Sequence, residues 1–379
     1  MIKLEPLENA WNIKAQDTRL LSMVVDKDAG LRRVLDSIGD RCPVAETCRP
    51  FDDGTYHRMK GHVRSFIART DGGVVVVKGT EPMSNDYLEI LEDAERNRDF
   101  LFLSKVDWFL IVENEPFLGQ ALNLADNYAR ISLEFTQKYV ARFGKLPRIP
   151  FPVAVFKIPQ AAAEAFGAKS APYACDRPQL NARERLGRLI QRGLGVFVYY
   201  YPGQPIRAAH ARGMFPGSHE AGAYDQSTTF DFKTAIDGWL DLIADMLILG
   251  YFPTYHIHQG NCLQPQNLVI DGGMCDIDSL HPMSKDRTDV EFMDSLFYSL
   301  IQFCASVTSV VTDRVQHTQQ LVWGMLWPEL VERVHAKAKD GLADPRILDV
   351  LKPMSLDLLF DGRFTHALLK MRQSPIGVF

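Results

Sequence analysis

The sequence predicts an α+β fold in two lobes: a small β-rich lobe with a helical insertion over residues 1–200, then a larger, mainly helical lobe over 201–379. Three observations carry this reading. Val63 to Ala68, Asp71-Gly72-Gly73 and Val74 to Lys78 form a β-branched pattern folded about a turn, which is how a hairpin is written. Beyond residue 230 the apolar side chains recur every three or four positions, the period of an amphipathic helix. A chain of 379 residues is also long enough to build two hydrophobic cores.

Taken in order, the hairpin ending at Lys78 is followed by an expected helix from Ser84 to Arg98, capped by Ser84 or Asn85. Leu118 to Phe143 carries an apolar stripe at Leu122, Ala125, Tyr128, Ile131, Phe135, Tyr139 and Phe143, stopped by Gly144 and Pro147. Phe151 to Ile158 reads as a strand, Asn181 to Gly193 as a basic helix, and Val196 to Gly203 as a strand entering a turn. Phe230 to Gly250 places Phe232, Ile236, Trp239, Leu240, Ile243 and Leu247 on one face, with Gly250 as the stop. Leu268 to Ile270 and Met274 to Ile277 read as two short strands around Asp271-Gly272-Gly273. Further helices are expected over Asp289 to Val307, Thr318 to Lys339 and Pro345 to Leu351, with Phe364 to Met371 closing the lobe.

Composition narrows the function. Hydrophobic residues at 46% and charged residues at 23% are ordinary for a soluble globular protein. The net charge of −5 argues against a general nucleic-acid or anionic-membrane binder, which leaves small-molecule or protein partners. No early basic-then-apolar segment and no apolar run of about 20 residues is present, so the chain reads as cytoplasmic. The six cysteines (Cys42, Cys48, Cys175, Cys262, Cys275 and Cys304) lack paired zinc spacing, and reduced thiols are expected.

The chemistry concentrates after residue 255. The turn at Asp271-Gly272-Gly273 sets Asn267 and Asp276 on opposite arms, where their oxygens can converge on a hard cation. Mg²⁺ suits such a site because it takes one or two protein oxygens and completes its shell with water and phosphate.

Pro265-Gln266-Asn267-Leu268-Val269-Ile270 followed by Asp276-Ile277-Asp278 resembles the catalytic-loop and metal-loop pair of the protein-kinase-like superfamily, especially its aminoglycoside and choline phosphotransferase branch. The resemblance implies a two-lobed kinase-like fold that binds ATP and Mg²⁺ and transfers a phosphoryl group. It implies metal ligands at Asn267 and Asp276, with Asp278 as a second ligand or orienting acceptor. It also implies that Lys78 contacts nucleotide phosphates and pairs with a helix glutamate, Glu92 being preferred over Glu89 and Glu95. Tyr199, Tyr200 and Tyr201 fall where such a fold holds the adenine, with backbone hydrogen bonds to the base and rings over its face; a tyrosine-rich core strand is the alternative. Asp294 resembles the aspartate that braces the catalytic loop, or is a helix-surface carboxylate. No glycine-rich phosphate loop stands beside the first strands.

The departure is at the base. Cys262, preceded by Gly260 and Asn261, occupies the place of the family's catalytic aspartate, and no carboxylate lies between His258 and Asp271. In this respect the loop resembles selenoprotein-O-type pseudokinases, which transfer AMP. His258 titrates in the range a base needs, or is a structural loop histidine. Cys262 as a nucleophile beside His256 or His258 finds no oxyanion motif to support it. Three functions therefore stand: a Mg-ATP-dependent phosphoryl or adenylyl transferase acting on a small molecule rather than a protein, a nucleotide-binding pseudokinase, and a metal-dependent hydrolase using His256, His258, Asp276, Asp278 and His281. Acceptor specificity is expected from Leu118 to Phe143 and from the loop Ala208 to Thr229.

Overall fold

The computed structural model describes residues 8–40, 56–58, 65–79, 120–175, 182–208, 231–253, 263, 265, 267–277, 280–283, 315–339 and 347–348, together with 299, 300, 303, 304, 306, 307 and 310. It is an α+β structure that divides into two units. The described residues up to Leu133 and those of Pro150–Gln204 form the first; Glu134–Ile149 and the described residues from Pro205 onward form the second.

The first unit is built on a sheet. Its strands are β1 (Glu8–Asn12), β2 (Tyr56–Arg58), β3 (Ser65–Arg69), β4 (Val74–Lys78), β5 (Gln120–Ala121), β6 (Phe151–Lys157) and β7 (Leu194–Tyr201). They run in the order β1-β6-β7-β4-β3-β2, with β5 also on β7, and every pairing is antiparallel. The hairpin expected around Asp71-Gly72-Gly73 is present as β3 and β4, with Ser65 opposite Lys78 and Arg69 opposite Val74. Continuous apolar runs mark strands covered on both faces, and β7 is buried along its whole length.

Three short helices, α1 (Ile13–Gln16), α2 (Thr18–Val25) and α3 (Ala29–Asp40), follow β1. One buried carboxylate helps tie them to the sheet. Asp28 is buried and accepts hydrogen bonds from Leu31 N, Asp71 N, Gly72 N, Thr70 Oγ1 and Tyr200 Oη. Burial pushes its pKa up, but the donors from Thr70, Gly72, Leu31 and Tyr200 outweigh burial and hold it below the ordinary value.

Helix α4 (Leu122–Phe143) follows β5 and buries Ala125, Tyr128, Ala129, Leu133, Phe135 and Tyr139. It starts four residues later than the sequence pattern indicates, because Gln120 and Ala121 pair with β7 first. It ends at Gly144 as expected. Between β6 and β7 the chain inserts α5 (Gln160–Cys175) and α6 (Ala182–Arg192), which pack on each other. The α6 bounds lie one residue inside the expected basic helix at each end.

Among its described residues the second unit is mainly helical. It contains α7 (Phe232–Ile248), capped by the Asp231 carboxylate, the two-stranded β8 (Tyr251–Pro253) and β9 (Leu280–Pro282), and α8 (Val315–Ala338). Arg333 of α8 bonds Asp237 and Asp241 of α7, and Lys337 bonds Asp241 and Asp245. Asp245 also accepts from Tyr139 Oη at 3.0 Å. Burial and the Asp245 charge push the Tyr139 phenol well above its ordinary range.

Residues 134–149 lie with the second unit, although a continuous helix reads as part of the first lobe in sequence. The reason is what its second half touches. Glu134 and Lys138 both bond Tyr251 Oη, and Phe135 meets the Tyr251 ring edge-on. Among the described residues no helix is long and apolar enough to cross a membrane. The expected helix from 84 to 98, Asp294 and the segment 364–371 lie outside the described residues.

Candidate functional site

The Asn267–Asp276 segment lies in the second unit. Gly272 N donates to Val269 O at 3.0 Å, Val269 N to Gly273 O at 2.9 Å and Cys275 N to Asn267 O at 2.9 Å. Asp271 fixes the tip by accepting from Gly273 N at 2.9 Å, a local turn suited to aspartate. Gly272 has φ +86°, the left-handed conformation that the Asp-Gly-Gly sequence supplies.

The two strands expected here are shorter than their sequence pattern. Leu268 and Met274 form a single antiparallel bridge, and the return arm bends at Cys275. That bend matters for chemistry. Asn267 stands opposite Cys275, so in a regular ladder Asp276, one step on, would face the other side. The chain leaves the ladder at Cys275, one residue before Asp276. Leu268, Val269, Met274, Cys275 and Ile277 are buried, while Asn267 and Asp276 keep part of their surface. A carboxamide and a carboxylate at such a turn fit a hard cation, which prefers oxygen.

The turn is held from three sides. Ile206 to Ala208 pairs along the outgoing arm, with Ala208 N donating to Leu268 O at 2.7 Å and Ile270 N to Ile206 O at 2.9 Å. Trp239 Nε1 of α7 donates to Val269 O at 2.8 Å, and Gly238 beside it lets the Gly272 backbone approach closely. On the return arm Met274 N donates to Arg148 O at 2.9 Å, and the Arg148 guanidinium donates to Asp271 O.

Lys78 lies in the first unit, at the end of β4, and is half-buried. Its ammonium stands 5.5 Å from the centroid of the Tyr128 ring on α4, a cation–π contact. The Tyr128 ring in turn meets Phe197 of β7 at 4.8 Å. Tyr128 was legible only as one member of the helical stripe.

Tyr199, Tyr200 and Tyr201 are buried in β7. Tyr199 faces Val76 and Pro152, and Tyr200 faces Val75 and Phe151, so a strand flanks each on both sides. A ladder on each side engages the main chain of these two residues. The Tyr200 hydroxyl is engaged with Asp28, and burial followed by the Asp28 charge pushes its pKa upward.

The other expected site residues, His258, Asn261, Cys262, Glu92 and Asp278, lie outside the described residues, as does His256. Of the alternative hydrolase set, Asp276 and His281 are described, and His281 pairs with Phe252 in β9. Among the described residues no group of three or more His, Cys, Asp and Glu side chains gathers as a metal cluster. Arg148, Gly238 and Trp239 were missed by sequence reasoning. A glycine inside an apolar helix hints at close backbone approach, but nothing local marks Arg148. Comparison of the chain with protein-family models, curated proteins and solved structures gives no match.

Proposed function

We propose that the chain is a kinase-like Mg-ATP-dependent transferase that moves a phosphoryl or adenylyl group to a hydroxyl or similar nucleophile of a small molecule. The observation that carries this is the turn itself: a buried, three-sided support that presents Asn267 and Asp276 beside a bend at Cys275. Supporting it, Lys78 ends β4, a strand paired with β3 and β7, and protein kinases carry their phosphate-binding lysine on a strand of the sheet.

In this reading Asn267 and Asp276 hold the metal, and Asp278 assists. Lys78 neutralises phosphate charge and Glu92 orients it. Mg²⁺ when bound supplies charge stabilisation at the phosphate oxygens. Such transfers depend chiefly on positioning and charge stabilisation, so Cys262 in place of an aspartate is compatible with turnover. His258 takes the acceptor proton.

The test is incubation with Mg²⁺ and ATP labelled separately at the α and γ phosphates, with Asp276→Ala alongside. Label carried from γ gives a kinase and from α an adenylyl transferase, lost in the variant in either case. Nucleotide binding without transfer to any of a panel of hydroxyl acceptors would replace this reading by the pseudokinase. Absence of nucleotide binding would remove both.

A further inference from the structure

We infer that Arg148 is a positioning residue for the metal-binding arms, an inference that rests on the Mg²⁺ reading of Asn267 and Asp276. Arg148 grips the same turn at two points. Its carbonyl accepts from Met274 N at 2.9 Å on the return arm, and its guanidinium donates to Asp271 O at the tip. Both anchors lie within five residues of Asp276 along the chain.

The opposite side of the turn is fixed independently. Trp239 Nε1 and Gly272 N both donate to Val269 O, at 2.8 and 3.0 Å, and the Gly238 and Gly272 backbones touch. The outgoing arm is pinned by α7 and by Ile206 to Ala208, and the return arm is tied to it by the Leu268–Met274 bridge; Arg148 adds a hold on the tip and on the return arm from outside. The return arm bends at Cys275 directly after the Met274 anchor, so the grip sets where the Asp276 carboxylate starts relative to Asn267.

The guanidinium is exposed and acts through the main chain of Asp271, while the Met274 anchor is the Arg148 carbonyl and is kept when the side chain is replaced. Groups that orient metal ligands from outside typically alter metal affinity by about 10–100-fold when removed. A lysine at the same place keeps a charged donor but loses the planar fork, and retains part of the effect.

The experiment uses the full chain, ATP and a Mg²⁺ titration, reading the Mg²⁺ concentration for half-maximal ATP binding in wild type, Arg148→Met, Arg148→Lys and the exposed control Arg188→Met. The methionine variant is expected to need about tenfold more Mg²⁺, with ATP binding at saturating Mg²⁺ retained. The lysine variant should fall between, and the control should match wild type. Equal half-saturation in wild type and Arg148→Met overturns the inference while leaving the Mg-ATP reading intact. Absence of Mg-dependent ATP binding in wild type overturns both. If Arg148→Met melts below the assay temperature, Arg148→Lys carries the test, and an unchanged half-saturation overturns the inference in the same way.

Discussion

Replacing Gly238 by alanine sets two opposed effects against each other. In a helix interior alanine is favoured over glycine by about 0.5–1 kcal/mol. At Gly238, however, the added Cβ would stand 2.6 Å from Gly272 Cα and 3.2 Å from Gly272 O. Carbon atoms rest at about 3.5–4.0 Å, so the helix and the turn must separate by roughly 1 Å. Backbone atoms on both sides cannot rotate away as a flexible side chain could. Overpacking of this kind costs about 1–3 kcal/mol. The same displacement stretches the bond from Trp239 Nε1 to Val269 O, now 2.8 Å, whose loss adds about 1 kcal/mol. The net expectation is destabilisation by about 1–3 kcal/mol, set by these two terms against the helix gain. Gly187 in α6 supplies the internal control, because a Cβ there meets nothing within 4 Å. Gly187→Ala should gain about 0.5–1 kcal/mol. Urea unfolding followed by far-ultraviolet circular dichroism measures both, and amide exchange at Gly272 and Gly273 should quicken in Gly238→Ala alone. A Gly238→Ala protein as stable as wild type, or more so, refutes the close-approach argument.

Asp28→Asn should destabilise by roughly 2–4 kcal/mol, since one carboxylate accepting five donors cannot be replaced by an amide with a single acceptor oxygen. The Asp28 pKa is depressed in the folded state, so its contribution is present above the ordinary value of 3.8 and is lost as pH falls through the lower folded value. Acid titration of stability should therefore be flatter in Asp28→Asn than in wild type, and parallel curves would contradict the hydrogen-bond account. Lys337→Met should lower stability by roughly 2–3 kcal/mol, because Asp245 is only 6% exposed in its side chain and loses its cation. Arg130→Met, which breaks the exposed pair with Asp126, should change stability by about 0.5 kcal/mol or less; thermal melts of the two variants decide whether burial governs the difference.

Local signals carried the elements well where one residue type forced the backbone. The β3–β4 hairpin, the end of α4 at Gly144, the bounds of α6 and the turn at Gly272 follow from β-branched runs, apolar period and glycine position. Long-range partners were not legible in the same way. Asp28 is an ordinary aspartate in sequence, and only folding brings Thr70, Gly72 and Tyr200 to it. Whether Tyr199 and Tyr200 lie on a core strand or a ligand-facing one was open in sequence, because their neighbours β4 and β6 come from sequence more than forty residues away. The second half of α4 read as one body with the first because helical period carries no information about which core each turn meets. At the candidate site, the turn between Asn267 and Asp276 was legible, whereas the supports Trp239, Gly238 and Arg148 are set by tertiary packing.

Asn267 and Asp276 are proposed to hold a metal ion that brings in a nucleotide. The most direct test is equilibrium binding of ATP to wild type, Asn267→Ala and Asp276→Ala with and without Mg²⁺. The account predicts Mg-dependent binding in wild type that is weakened at least tenfold, an order-of-magnitude figure, in both variants. ATP binding that ignores Mg²⁺, or that survives unchanged in both variants, would contradict it.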